Sequence, residues 1–276
     1  MATVSIVKAT YSDPEIETLL APFGGMGHFV KKNEKVLLKV NLLSAKAPEK
    51  AVTTHPEFVR AVAKSVKKAG GKPFIGDSPA GTFSKRSLTK AKYHAQFPRR
   101  VSFADMMLDI LTILKPQLYI MDGILGMQGQ GPGSGDPVKM DLVLASTDHV
   151  AMDIAVCKIL GIEPVGIPAL KMAKIRGLWP EKIDYPVQRP ADVAYKGFRL
   201  PNTADHLLTG KKPPRKSPVI SDKCTACGDC ESICPKNAVK VQGQMAEVTY
   251  SKCIRCFCCH EVCPEDAIML RSLKLN

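Results

Sequence analysis

Eight of the ten cysteines fall into two copies of one spacing. The first is Cys224-x2-Cys227-x2-Cys230-x3-Cys234 followed by Pro235; the second is Cys253-x2-Cys256-x2-Cys259-x3-Cys263 followed by Pro264. Thiolates in this order are the bacterial run for 4Fe–4S clusters, in which the fourth cysteine of each copy ligates the cluster of the other. The spacing therefore predicts two clusters. Cys224, Cys227, Cys230 and Cys263 hold the first, Cys253, Cys256, Cys259 and Cys234 the second, and such a chain handles electrons. Disulfides would need an oxidising compartment, and no signal peptide is expected for this chain. Structural zinc commonly uses paired C-x2-C knuckles, which leaves the x3-C-P endings without a reason.

The repeat extends past the ligands. Val219 and Val248, Lys223 and Lys252, and Ala238 and Ala267 keep the offset of the cysteines. Short strands are expected around Ala238–Val241 and Glu247–Tyr250, and the two halves close around the clusters as one unit. Ligation takes the place of the core that so short a segment lacks. Cys157, in an apolar stretch, reads as a small buried hydrophobe. Cys258 takes the place of Asp229 in the other copy, beside the second cluster, either as a bystander or as a redox-active thiol.

The elements upstream must position whatever the electrons reach. Thr3–Ala9 reads as a strand, Pro14–Leu20 as a short helix and Lys35–Leu43 as a strand. Thr54-His-Pro-Glu57 reads as a capping box opening a helix through Lys68, which stops at Gly70-Gly71. Lys72–Gly76, Gln117–Met121 and Asp141–Ser146 read as strands. Phe103–Leu114 and Asp148–Leu160 read as helices, the latter ended by Gly161. This alternation predicts an α/β domain over 1–185 with a mainly parallel sheet flanked by helices. Six prolines between Pro186 and Pro218 mark 186–217 as a Pro/Lys-rich linker, leaving 218–276 as a small ferredoxin-like α+β module.

In such sheets ligands bind beyond the carboxyl ends of strands. Asn41–Ser44, Gly76–Gly81, Asp122–Asp136 and Thr147-Asp148 are expected there. The stretch from Asp122 to Asp136 holds six glycines. It reads either as a backbone cradle for an anion or as a turn-rich connection, and it is neither a Walker loop nor a clean dinucleotide fingerprint. His149 and Asp153 share a helix face and suit metal binding or proton transfer. Their plainer roles are packing and capping, with Asp148 at the helix start. His55 reads as a helix-start residue.

The formal charge is +13. Two oxidised clusters with four thiolates each carry about two negative charges apiece, so the loaded protein stays basic. A basic face steers encounter with an acidic redox partner. The run Lys211-Lys-Pro-Pro-Arg-Lys216 has no interleaved aromatic residues, which favours a solvated linker over a nucleic-acid surface. No stretch approaches the ~20 apolar residues of a membrane span, and a cytoplasmic location is expected.

Taken together, Lys39-Val-Asn41, Thr53-Thr-His-Pro-Glu57, Gly76-Asp-Ser-Pro-Ala-Gly81, Asp122-Gly-Ile, Gly131-Pro-x-Ser-Gly135 and Asp148-His-Val-Ala-Met-Asp153 resemble the domain of unknown function 362 family. Its members often carry a C-terminal ferredoxin module. The resemblance implies an α/β iron–sulfur protein whose reaction is not generally established. It also implies a long central stretch between the Gly-Asp-Ser motif and the segment matching Lys92-Tyr-His94. Here Gly81–Leu88 runs almost directly into Thr89–His94, and that stretch is absent.

Strand-end position and the resemblance make Asp77, Asp122, Asp136 and Asp148 candidate catalytic groups, with Lys39 and Asn41 binding an anionic substrate. One expectation is a redox enzyme whose module exchanges electrons with a soluble carrier or redox enzyme partner. The alternative is a non-catalytic electron-transfer or assembly subunit, and the remaining one an iron–sulfur nucleic-acid binder.

Overall fold

The central strand β1 (Ala2–Lys8) is buried along both faces from Val4 to Val7, as a strand covered on two sides must be. In this computed structural model, residues 1–43, 46–77, 92–131, 133, 135–201, 204 and 215–273 are described. Strand β1 pairs antiparallel with β5 (Asp136–Ser146), and β5 pairs antiparallel with β4 (Tyr119–Gln128). The short β6 (Ile183–Asp184) adds a parallel edge, completing the order β4-β5-β1-β6. A second parallel pair, β2 (Lys35–Lys39) with β3 (Lys72–Gly76), is joined by helix α2 (Pro56–Lys68). The α/β layering expected from the alternation is present. The sheet is mixed, because β4 returns directly into β5 through a tight turn and no helix intervenes to make that pair parallel.

Alternate residues of β5 face opposite cores. Val143 and Ala145 join Val7 and Ile124 beneath helix α1 (Ile16–Leu20) and α2, which contribute Leu19, Leu20, Phe58, Val62 and Val66. Leu142 and Leu144 join Val4 and Ile6 beneath helix α4 (His149–Leu160). Helix α3 (Arg100–Leu114) packs against α4 and α5 (Pro168–Ile175) through Leu108, Ile154 and Leu170, and Cys157 is buried in that cluster. The β2–β3 pair covers the first core with Val36 and Leu38 only. Its Leu37, Phe74 and Ile75 remain 53, 49 and 58% exposed.

Two expectations need correction. Helix α2 is capped by His55, whose Nδ1 accepts the Glu57 N–H at 3.2 Å. Thr54 instead turns its hydroxyl to the N–H of Asn41 at 3.1 Å, tying the end of β2 to the start of α2. The glycine-rich stretch is also shorter than expected. Residues 122–128 continue β4, and only 129–135 turn the chain. Gly123 and Gly126 stay in the ladder; at Gly123, where the register shifts, the backbone comes so close that a side chain would meet Leu142 O at 2.9 Å.

The turn is tightly seated. A methyl group at Gly135 would run into Gln128 O and the Met127 side chain. Gly135→Ala is therefore expected to cost about 1–3 kcal/mol, seen as a lower urea midpoint with an unchanged slope.

Beyond β6 the chain stays on the α/β body. Val193 and Tyr195 pack on the second core, and the Tyr195 N–H donates to Ile159 O at 2.8 Å. Arg199 and the turn exchange bonds, Gly129 N–H to Arg199 O at 2.7 Å and Arg199 N–H to Gln128 Oε1 at 3.2 Å. Residues 186–201 are thus packed as part of this body, and 211–214 of the basic run lie outside the described residues.

Candidate redox centre and the facing strand ends

The C-terminal module is built twice over. Each cysteine loop leads into a one-turn helix, α6 (Asp229–Ile233) and α7 (Cys258–Val262). The hairpin β8 (Val239–Gln242) with β9 (Met245–Val248) and the pair β7 (Lys216–Ile220) with β10 (Ile268–Ser272) close it on either side. Both loops turn through left-handed residues at matching positions: Ala226 and Gly228 in the first, Arg255 and Phe257 in the second, followed by Asn237 and Asp266. For side chains such as Arg and Phe this conformation costs on the order of 1–2 kcal/mol each. Strain repeated at equivalent places marks a constraint on the loop path, here the inward turn of thiols and amides.

The loops leave a recess of about 350 Å³, part of it open to solvent, walled by Cys224, Cys227, Cys230 and Cys263 with Ile220, Ala246 and Ile268. Three backbone donors aim at ligand sulfurs: Ala246 N–H at Cys224 Sγ (3.4 Å), Ala238 N–H at Cys234 Sγ (3.1 Å) and Ala267 N–H at Cys263 Sγ (3.2 Å). Four thiols around one cavity, with amides reaching the sulfurs, fit a cubane cluster, which supplies one-electron transfer when bound. Among the described residues no three His, Cys, Asp or Glu side chains converge tightly enough for a single ion. Cluster ligands sit on separate iron corners and are spread wider than that. Cys258 is a free, buried cysteine at the start of α7.

In the α/β domain the candidate carboxylates are dispersed. Asp77 is buried, its side chain 2% exposed, and pairs with Lys39 at 2.8 Å. Its other oxygen accepts the Leu42 N–H at 2.9 Å. Asp136 lies at the turn, bound to Arg199 at 2.5 Å. Asp148 caps α4 by accepting the Ala151 N–H at 2.9 Å, at the opposite end of the β4–β5 hairpin from Asp136. Antiparallel strands send their carboxyl ends opposite ways, so one rim cannot gather all four. His149 is packed against Tyr119, and burial lowers its pKa.

Asp122 is the carboxylate with company. It accepts from Tyr11 Oη at 3.2 Å, from the His55 N–H at 3.1 Å and from the Ile124 N–H at 3.3 Å. The Tyr11 ring stacks on the His55 imidazole with centroids 3.7 Å apart and planes 16° from parallel. Burial raises the Asp122 carboxyl above its ordinary value, and the three donors oppose this. Burial and the adjoining carboxylate both push the Tyr11 phenol upward. Tyr11 carries no local sequence signal, since it stands 111 residues from its partner. Beside the turn, an open cavity of about 620 Å³ is lined by residues that include Val52, Met127, Gln128 and Arg199.

The two halves meet at these strand ends. Lys46 Nζ bonds both Asp266 carboxylate oxygens, at 2.9 and 3.0 Å, and reaches Gly133 O at 3.5 Å. A side chain at Gly133 would lie 3.4 Å from Glu261 O in α7 and 3.9 Å from Leu43. The glycine turn is therefore seated against the segment that carries Cys259 and Cys263. Ser44, Pro132, Ser134 and residues 78–81 of the Gly-Asp-Ser motif lie outside the described residues.

Fold and site together define an iron–sulfur electron-transfer protein, an α/β domain joined to a ferredoxin-type module. Residues 218–264 match the 4Fe–4S dicluster domain. The chain belongs to the domain of unknown function (DUF362) family, matched over residues 36–89 and 80–158. A thylakoid-associated protein of Synechocystis sp. is 30% identical over 263 aligned residues, which take in 67% of this chain and 82% of the relative. No solved structure matches. The two family blocks overlap at residues 80–89. Among the described residues no helix is long and apolar enough to cross a membrane.

Proposed function

We propose that the module binds two 4Fe–4S clusters with crossed fourth ligands and exchanges electrons with the α/β domain, which acts on a small anionic substrate or cofactor. The observation that carries this reading is the seating of the glycine turn against α7, through Gly133 and the Lys46–Asp266 pair. That contact sets a ligand-bearing helix beside the ends of β2 and β4, where Lys39 and Asn41 stand. The external partner is a soluble electron carrier or redox enzyme with an acidic face, drawn to a chain of formal charge +13. The setting is cytoplasmic.

Anaerobic purification of the full chain is expected to yield about eight iron and about eight acid-labile sulfide per chain, bleaching on dithionite reduction. Zinc in place of iron would sink the proposal. A second reading, a subunit that passes electrons or assists assembly with no chemistry of its own, is favoured by one observation. The β2–β3 pair leaves Leu37, Phe74 and Ile75 exposed, an apolar face available to a partner.

A further inference from the structure

His55 is supported more elaborately than a helix cap requires. Its Nδ1 accepts the Glu57 N–H, so the proton of the neutral ring resides on Nε2. Its ring is clamped by the Tyr11 stack, and its backbone N–H is anchored on Asp122. Among the described residues nothing takes the Nε2–H. A cap needs only the Nδ1 lone pair; a fixed tautomer with its donor left open is a group prepared for a ligand.

The neighbours have the same polarity. Asn41 and Thr54 exchange two bonds, Asn41 N–H to Thr54 Oγ1 at 3.1 Å and Thr54 N–H to Asn41 O at 3.0 Å, which sets Asn41 beside His55. The Asn41 side chain is exposed. Lys39, two residues back, is 58% exposed and places its ammonium between Asp77 and Val40 O. The two carboxylates point inward. Asp122 is satisfied by Tyr11, His55 and Ile124, and Asp77 by Lys39 and Leu42. Negative charge supports the rim from beneath, while the groups on it are donors and a cation.

We propose that Lys39, Asn41 and His55 form an oxyanion-binding site at the ends of β2 and the start of α2, with His55 donating from Nε2. This rests on the reading above and names its substrate class, a phosphate or carboxylate group. Lys39 supplies charge, His55 a directed bond from a ring already immobilised, and Asn41 an amide donor.

The test uses the full chain, purified anaerobically with its iron counted and its reduction checked in the same sample. Inorganic phosphate and oxalate are titrated separately by calorimetry. Binding of either anion at one site per chain is expected, and the preferred one identifies the class. His55→Asn keeps an acceptor for the Glu57 N–H, since asparagine is a good N-cap, but removes Nε2. It should retain the thermal midpoint and iron content of the wild type yet bind on the order of tenfold more weakly, the loss of one charge-assisted bond. Lys39→Met should weaken binding similarly, and Asn41→Asp should abolish it by repulsion. Iron-loaded, reducible protein that binds neither anion would overturn the site and leave the electron-transfer reading standing. So would His55→Asn binding as the wild type does. Absence of iron would instead count against the reading on which the site rests.

Discussion

Cys263→Ala is expected to remove the cluster held by the first cysteine run, although Cys263 stands in the second. The recess walled by Cys224, Cys227 and Cys230 takes its fourth thiol from the C-terminal end of α7, because the module folds its two copies head to tail. Iron should fall from about eight to about four per chain. Paired substitutions decide which cluster is lost, since changes at one cluster do not add and changes at two do. Cys263→Ala with Cys224→Ala should retain about half of the iron, whereas Cys263→Ala with Cys253→Ala should retain almost none. The reverse pattern would show that each run closes its own cluster. The cluster-depleted module should also become protease-sensitive around β7 and β10. Its apolar core of Ile233, Val239, Ala246, Val262 and Ile268 is too small to hold without ligation.

Asp122→Ala should be the most destabilising single change in the strand-end network. It leaves the His55 N–H, the Ile124 N–H and the Tyr11 hydroxyl without their acceptor in a half-buried setting. An unsatisfied buried donor costs about 1–3 kcal/mol, and partial access to water for some of the three brings the expected total to about 2–4 kcal/mol. Tyr11→Phe, which keeps the stack on His55 and removes one donor, should cost about 1 kcal/mol. The pH dependence has a definite sign. Burial holds the Asp122 carboxyl above its unfolded value, so its favourable contribution is complete below the unfolded value and is lost as pH rises through the folded one. The stability gap between wild type and Asp122→Ala should therefore narrow from mildly acid towards neutral pH in urea titrations. A gap that widens over that interval would mean that the carboxylate is stabilised in its charged form.

Much of the redox half was legible in the linear chain. Cluster ligation is a matter of thiol number and spacing, both local, and the repeat carried the offset into Ala238 and Ala267, whose amides reach Cys234 and Cys263. Helix α2 was visible through Pro56 and its Gly70 stop, and α4 through Asp148 and Gly161, because caps act within a turn of the residues they satisfy. The ends of β4 and β5 were not. Six glycines from Gly123 to Gly135 read as one long loop, and pairing across a hairpin decides which of them lie in a strand.

The sequence by itself determined that electrons pass through this chain, which thiols are available to hold them and that an α/β domain stands ahead of them. Only the tertiary structure decided what faces the module. The antiparallel return of β5 sent Asp148 to the far end of the sheet and left Asp136 at the turn with Arg199. It also brought Tyr11, His55 and Asp122 together across separations that leave no local trace. Periodicity and caps report a residue's own element, whereas a site made where three elements end depends on strand direction and register, which arise only when the strands pair.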